Sequence, residues 1–130
     1  MFEQITAYFT SAILGIMIFF SFVVAPVTFT SLDENSARKF IRRIFPYYYN
    51  VNLFLSVIVT LFYVFNKYYK FNLFLILIVG ILFAVSNYIL MPLINKYRDE
   101  NQDKKFKYSH FLSVVINFVQ IILLMIIIYN

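Results

Sequence analysis

The residues most able to do chemistry lie near the carboxyl-terminal end, where His110, Ser113, Asn117 and Gln120 are spaced three, four and three residues apart. At 100° per residue they fall in one helical stripe about 80° wide. The faces around the stripe carry Ile, Leu, Val and Phe. An imidazole, a hydroxyl and two amides on one face can tie helices together, line a solute path or help hold a metal or haem. The metal reading is poorly supplied: the chain has one histidine and no cysteine, and thiolates and imidazoles dominate three- and four-ligand sites. No metal or other cofactor is expected. Asp33, Glu34, Asp99, Glu100 and Asp103 fall between apolar runs, so no acid/base pair in a closed pocket is visible. With only Gly15 and Gly80, there is no phosphate-cradling loop either. The expectation is a protein without enzymatic activity.

These side chains need something to hold them, and composition says what. Of 130 residues, 62% are hydrophobic and 13% charged, against roughly 45 to 50% and about 25% in soluble domains. Apolar stretches cover residues 5–30, 47–65, 73–93 and 108–129. Each is close to the ~20 residues a helix needs to cross a ~30 Å hydrocarbon layer. The predicted fold is therefore an all-α membrane protein: a single domain, residues 1–130, built as a bundle of four transmembrane helices. The leading apolar run is too long for a signal-peptide core and is read as a retained helix.

Nine of the 11 basic residues fall in two gaps, Arg38, Lys39, Arg42 and Arg43 in the first and Lys96, Arg98, Lys104, Lys105 and Lys107 in the third. The positive-inside rule places both gaps in the cytoplasm and both termini outside. The location this predicts is a bacterial inner membrane. The net charge of +5 then answers to anionic lipid head groups and not to nucleic acid, with Arg38, Lys39, Arg42 and Arg43 as head-group contacts.

The first gap has further detail. Ser31 and Glu34 have capping-box spacing. Ala37, Phe40, Ile41 and Ile44 recur at helical intervals, predicting a short amphipathic interfacial helix between the first two spans. Tyr47, Tyr48 and Tyr49 read as head-group anchors. Ala7, Ser11 and Gly15, and Gly80 with Ala84, have the four-residue spacing of helix contact faces. Those faces would serve intramolecular packing first, and otherwise a seam to other membrane subunits or a second copy.

Given that orientation, Asn87, Pro26, Pro46 and Pro92 reach the same inner half of the bilayer as the His110 stripe. Proline opens helical backbone that neighbouring polar side chains can satisfy, which gives the tying role its physical basis.

The run Phe22-Val23-Val24-Ala25-Pro26-Val27-Thr28-Phe29, then Ala37 and Ile44-Phe45-Pro46-Tyr47-Tyr48, resembles the transmembrane protein 205-like family. Asn87 and Pro92, with His110, Ser113 and Asn117 as H-x-x-S-x-x-x-N, complete the likeness. It implies a four-helix membrane domain of unknown function in which Pro26, Phe29, Phe45, Pro46, Tyr47 and Pro92 are motif and helix-kink positions. The chain departs from that family in its short third gap and in lacking a histidine in the first span. Two functions remain in play, a membrane scaffold or accessory subunit and a small-solute or metal-ion transporter.

Overall fold

The computed structural model describes residues 1–130. It contains α1 (Phe2–Phe19), a π-helical turn (Phe20–Val24), α2 (Ala25–Ser31), α3 (Glu34–Phe65), α4 (Phe71–Val85), a second π-helical turn (Ser86–Leu90), α5 (Met91–Asp99) and α6 (Asp103–Tyr129). These compose four helices long and apolar enough to cross a membrane: Phe2–Ser31, Glu34–Phe65, Phe71–Asp99 and Asp103–Tyr129. Their most apolar windows have mean hydropathies of 2.4, 1.6, 2.6 and 2.8. The first packs against the second and fourth, and the third against the same two. The result is a four-helix ring in which neighbours in sequence are neighbours in space.

Solvation explains this arrangement. Phe19, Phe54, Phe74, Ile81, Phe111 and Ile122 all face outward, an apolar surface far beyond what water tolerates on a monomer. The interior, conversely, holds nine polar residues among its 26 buried ones. An apolar outside around a partly polar inside suits lipid, and the protein is a multi-pass membrane protein.

The spans exceed the apolar stretches because helices continue through the polar gaps. At 1.5 Å per residue the 32 residues of α3 run about 48 Å, well past a ~30 Å hydrocarbon layer. The amphipathic segment expected between the first two spans is accordingly no separate interfacial helix. It forms the leading turns of α3, which runs through Pro46 without a break. Aromatic packing clamps that turn: Phe20 lies 5.2 Å from Phe45 and 4.2 Å from Tyr48, while Phe45 stacks on Tyr49 at 5.6 Å.

The capping residue also differs from expectation. Ser31 closes α2, and Asp33 caps α3 by accepting the Ser36 amide at 3.3 Å. The Ser36 hydroxyl, and after it the Ser36 amide, hold the Asp33 carboxyl below its usual range. Of the three consecutive tyrosines only Tyr47 faces outward, because a helix turns 100° per residue and carries Tyr48 and Tyr49 into the core. The stripe Ala7, Ser11 and Gly15 is likewise exposed and makes no intramolecular seam. Thr6, Thr10, Ile13 and Met17 are the buried face of α1. Gly80 does pack inward, since a Cβ there would meet the Ser56 side chain at 3.6 Å.

Two loops use one device. Lys67 and Asn101 adopt left-handed backbone, with φ of 54° and 55°. The next amide then reaches back to the fifth preceding carbonyl, Tyr68 to Tyr63 at 2.8 Å and Gln102 to Tyr97 at 2.9 Å. Such a closure satisfies carbonyls that the helix end would leave open.

Candidate functional site: a basic cavity at one end of the bundle

From Ser113 to Gln120 the polar stripe of α6 faces the bundle interior, while His110 is exposed and lines the cavity at the arginine-rich end. Gln120 is buried and donates Nε2 to the Val79 carbonyl of α4 at 3.0 Å. Asn117 donates Nδ2 to Ser21 Oγ at 2.9 Å and accepts the Tyr48 hydroxyl at 2.8 Å. One amide thereby joins the first, second and fourth spans. Ser113 returns its hydroxyl proton to the His110 carbonyl at 2.7 Å, a local bond within α6 that spends its one donor.

Asn87 belongs to a different contact. Its Nδ2 donates to Asn50 Oδ1 at 3.0 Å, and the Tyr88 hydroxyl donates to the same oxygen at 3.3 Å. Asn87 and the His110 stripe are thus not bonded to each other. They meet as walls of one cavity.

That cavity, of about 430 Å³, opens at the arginine-rich end. Ala25, Phe29, Ile41, Phe45, Met91 and Pro92 supply apolar wall, while Arg38, Arg42, Arg98, Asn87, Asn95 and His110 supply polar wall. A second lobe of about 320 Å³ runs toward the middle of the bundle past Phe20, Ser21, Phe22, Pro26, Tyr48 and Asn117. The lobes share Ala25, Phe29, Phe45, His110 and Ser113 as common walls and are therefore adjacent.

Both π-helical turns flank this space. Each is followed at its second residue by a proline, Pro26 or Pro92. Proline has no amide to donate, and its ring crowds the carbonyl four residues back, which is Phe22 in one case and Tyr88 in the other. A wider π turn relieves that crowding, and such turns recur beside functional sites. The kink positions expected at Pro26 and Pro92 are thus π turns, whereas Pro46 lies within continuous helix.

The basic residues divide into separate groups. Arg42 donates to Asp99 at 3.2 Å and to the Asn95 carbonyl at 3.3 Å, tying the start of α3 to the end of α5. Asp99 is held below the usual carboxylate range by that guanidinium. Arg38 pairs with Glu34 on its own helix. Lys39 and Arg43 are exposed and stand outside the cavity wall. Arg98, which charge counting treats as one more loop cation, instead lies 4.1 Å over the Phe106 ring. The His110 ring is stacked parallel to Phe106 at 5.8 Å. The spacing of Phe106 and His110, one helical turn apart, was the signal available for this stack.

The family model described as Domain of unknown function (DUF4149) matches residues 8–103, most of the chain. The chain belongs to this family. The DUF4149 match covers both proline turns, Asn87 and all of the cavity arginines, and stops where α6 begins. The His110 stripe thus lies beyond the matched residues of this DUF4149 protein. No curated protein and no solved structure matches the chain.

Proposed function

We propose that this DUF4149 protein is a non-enzymatic scaffold or accessory subunit of the transmembrane protein 205-like type. In this reading it sits in a bacterial inner membrane with its arginine-rich end in the cytoplasm and both termini outside, as the distribution of Lys and Arg favours. The observation that carries the reading is the use made of the intramembrane amides. Asn117 and Gln120, the groups best placed to line a path, are spent on bonds to the other three spans. Apart from Asn52, buried in α3 without a partner, the unspent group is Arg98 at the arginine-rich end, where anionic head groups and a protein partner can both reach it.

Purification of the full chain in mild detergent tests this directly. A stoichiometric membrane partner should co-purify. Recovery of the chain alone at every detergent strength would defeat the scaffold reading.

A second reading, a small-solute transporter, is favoured by one specific observation. The cavity beside His110 opens at the arginine-rich end, and the second lobe adjoins it on the inward side. Four helices enclose little volume, so such a pathway would need a dimer. His110→Ala should then abolish uptake of the solute while the protein still folds. Unchanged uptake with normal folding would dismiss this alternative.

A further inference from the structure

The two lobes of the cavity differ in chemistry, and together they describe an amphiphile. No carboxylate lines either lobe, although Arg38, Arg42 and Arg98 all reach the outer one. Arg42 already holds Asp99. Arg98 has an aromatic face in place of an acid, and the Nε of Arg38 is shielded with no hydrogen-bond acceptor. Arg38 is itself paired with Glu34 through a terminal nitrogen, so Arg98 is the one guanidinium of the three without a carboxylate partner. Guanidinium groups match the oxygens of a phosphate and bind it through paired hydrogen bonds.

The inner lobe is of the opposite kind. Between the first and fourth spans it is walled by Phe22 and Phe118, whose rings meet edge to face at 6.4 Å and which are 58% and 50% exposed on the lipid-facing surface. Their outward-facing ring surfaces offer a seat to an apolar chain from the hydrocarbon layer. Ala25, the smallest of the side chains common to both lobes, stands at the boundary between them. Each lobe falls in the ~300 to 1,000 Å³ range of small-molecule sites.

We infer that the cavity is a binding site for a phospholipid with net negative charge, its phosphate held by Arg98 beside His110 and an acyl chain lying against Phe22 and Phe118. A free anion would use only the outer lobe, and an uncharged hydrocarbon would leave the Arg98 guanidinium unanswered. This inference is independent of whether a protein partner docks on the same end.

The test is heat stability of the full-length protein in detergent, followed by loss of the folded peak in size exclusion. The probes are dioleoyl phosphatidylglycerol, dioleoyl phosphatidylcholine with the same tails, and glycerol 3-phosphate as the head without a tail. Phosphatidylglycerol should raise the unfolding temperature more than phosphatidylcholine, and glycerol 3-phosphate should leave it unchanged. Arg98→Gln should raise the half-saturating concentration of phosphatidylglycerol about tenfold, the loss of one charge-assisted contact, with the phosphatidylcholine response unaltered. Lys104→Gln removes a charge from the same end, outside the cavity, and should leave the preference intact. Should Arg98→Gln fail to fold, Ala25→Phe fills the boundary common to both lobes without changing any charge and should abolish the preference. Equal responses to the two lipids, an equal response to glycerol 3-phosphate, or equal losses in Lys104→Gln and Arg98→Gln would each overturn the assignment.

Discussion

Tyr48 and Asn117, 69 residues apart in sequence, share a 2.8 Å hydrogen bond that joins the second span to the fourth. Because Asn117 also donates to Ser21, removing its amide strips partners from two helices at once. Hydrogen bonds between membrane helices contribute on average about 0.6 kcal/mol and up to about 1.7 kcal/mol. Asn117→Leu should thus destabilise the bundle by about 1 kcal/mol or more, and Tyr48→Phe by less. Reversible unfolding in mixed micelles measures both. A double variant no worse than Asn117→Leu alone would confirm that they report one contact.

Asn52 should behave in the opposite way. It is completely buried in α3, and neither its amide nitrogen nor its oxygen has a hydrogen-bond partner. A buried polar group left unpaired costs about 1 to 3 kcal/mol. Replacement by leucine, similar in size, should raise stability by about 1 kcal/mol in the same assay. A clear loss would show that the amide has a partner or a task.

The two glycines should diverge under substitution. Gly15 faces open space, with nothing within 4 Å of an added Cβ, so Gly15→Ala should gain up to about 1 kcal/mol from helix propensity. Gly80→Ala should be tolerated, because its Cβ would meet Ser56 at an ordinary 3.6 Å. Gly80→Leu should cost about 1 to 3 kcal/mol through overpacking. If Gly15→Leu instead dissociated an oligomer on size exclusion, the exposed small-residue face would be a seam between copies.

The tie between Arg42 and Asp99 makes an acid-sensitive contribution. Asp99 titrates lower in the folded protein than an ordinary carboxyl, so the contact contributes fully above pH ~4 and is lost as pH falls through the lowered value. Asp99→Asn should be slightly less heat-stable than the parent at neutral pH, and the two should converge in strong acid. A gap independent of pH would mean that the ion pair is not its source. The effect should be small, because both side chains are largely exposed.

Much of the fold is legible in the sequence because hydropathy over some 20 residues needs no knowledge of neighbours. The inward turn of Ser113, Asn117 and Gln120 is legible for the same reason, as it depends only on helical period, although His110 on the same stripe is exposed. Their partners are not. That Gln120 meets the Val79 carbonyl depends on how far each helix is rotated about its axis, which packing sets and periodicity does not. Small size likewise carries no direction: Ala7, Ser11 and Gly15 fit a contact face or a lipid face equally, and Thr6 and Thr10 decided between them by turning inward. Arg98 was hidden by its charge, since a residue counted for topology is assumed to be solvated, and its seat over Phe106 is a tertiary contact.

The π turns before Pro26 and Pro92 carry a consequence for how the chain can change. A turn with one residue more than α-helical geometry requires shifts the phase of everything after it by about 100°. In Phe2–Ser31 the residues that face lipid before Phe20 and those that face the cavity after Val24 therefore obey two different helical wheels. Deleting a single residue between Phe20 and Val24 would barely alter length, composition or hydropathy. Because it removes the surplus residue, the turn can close as α-helix and leave Ala25 and Phe29 on the cavity wall, whereas deleting a residue from the regular run Phe2–Phe19 would turn the two halves of the span against each other by about 100°.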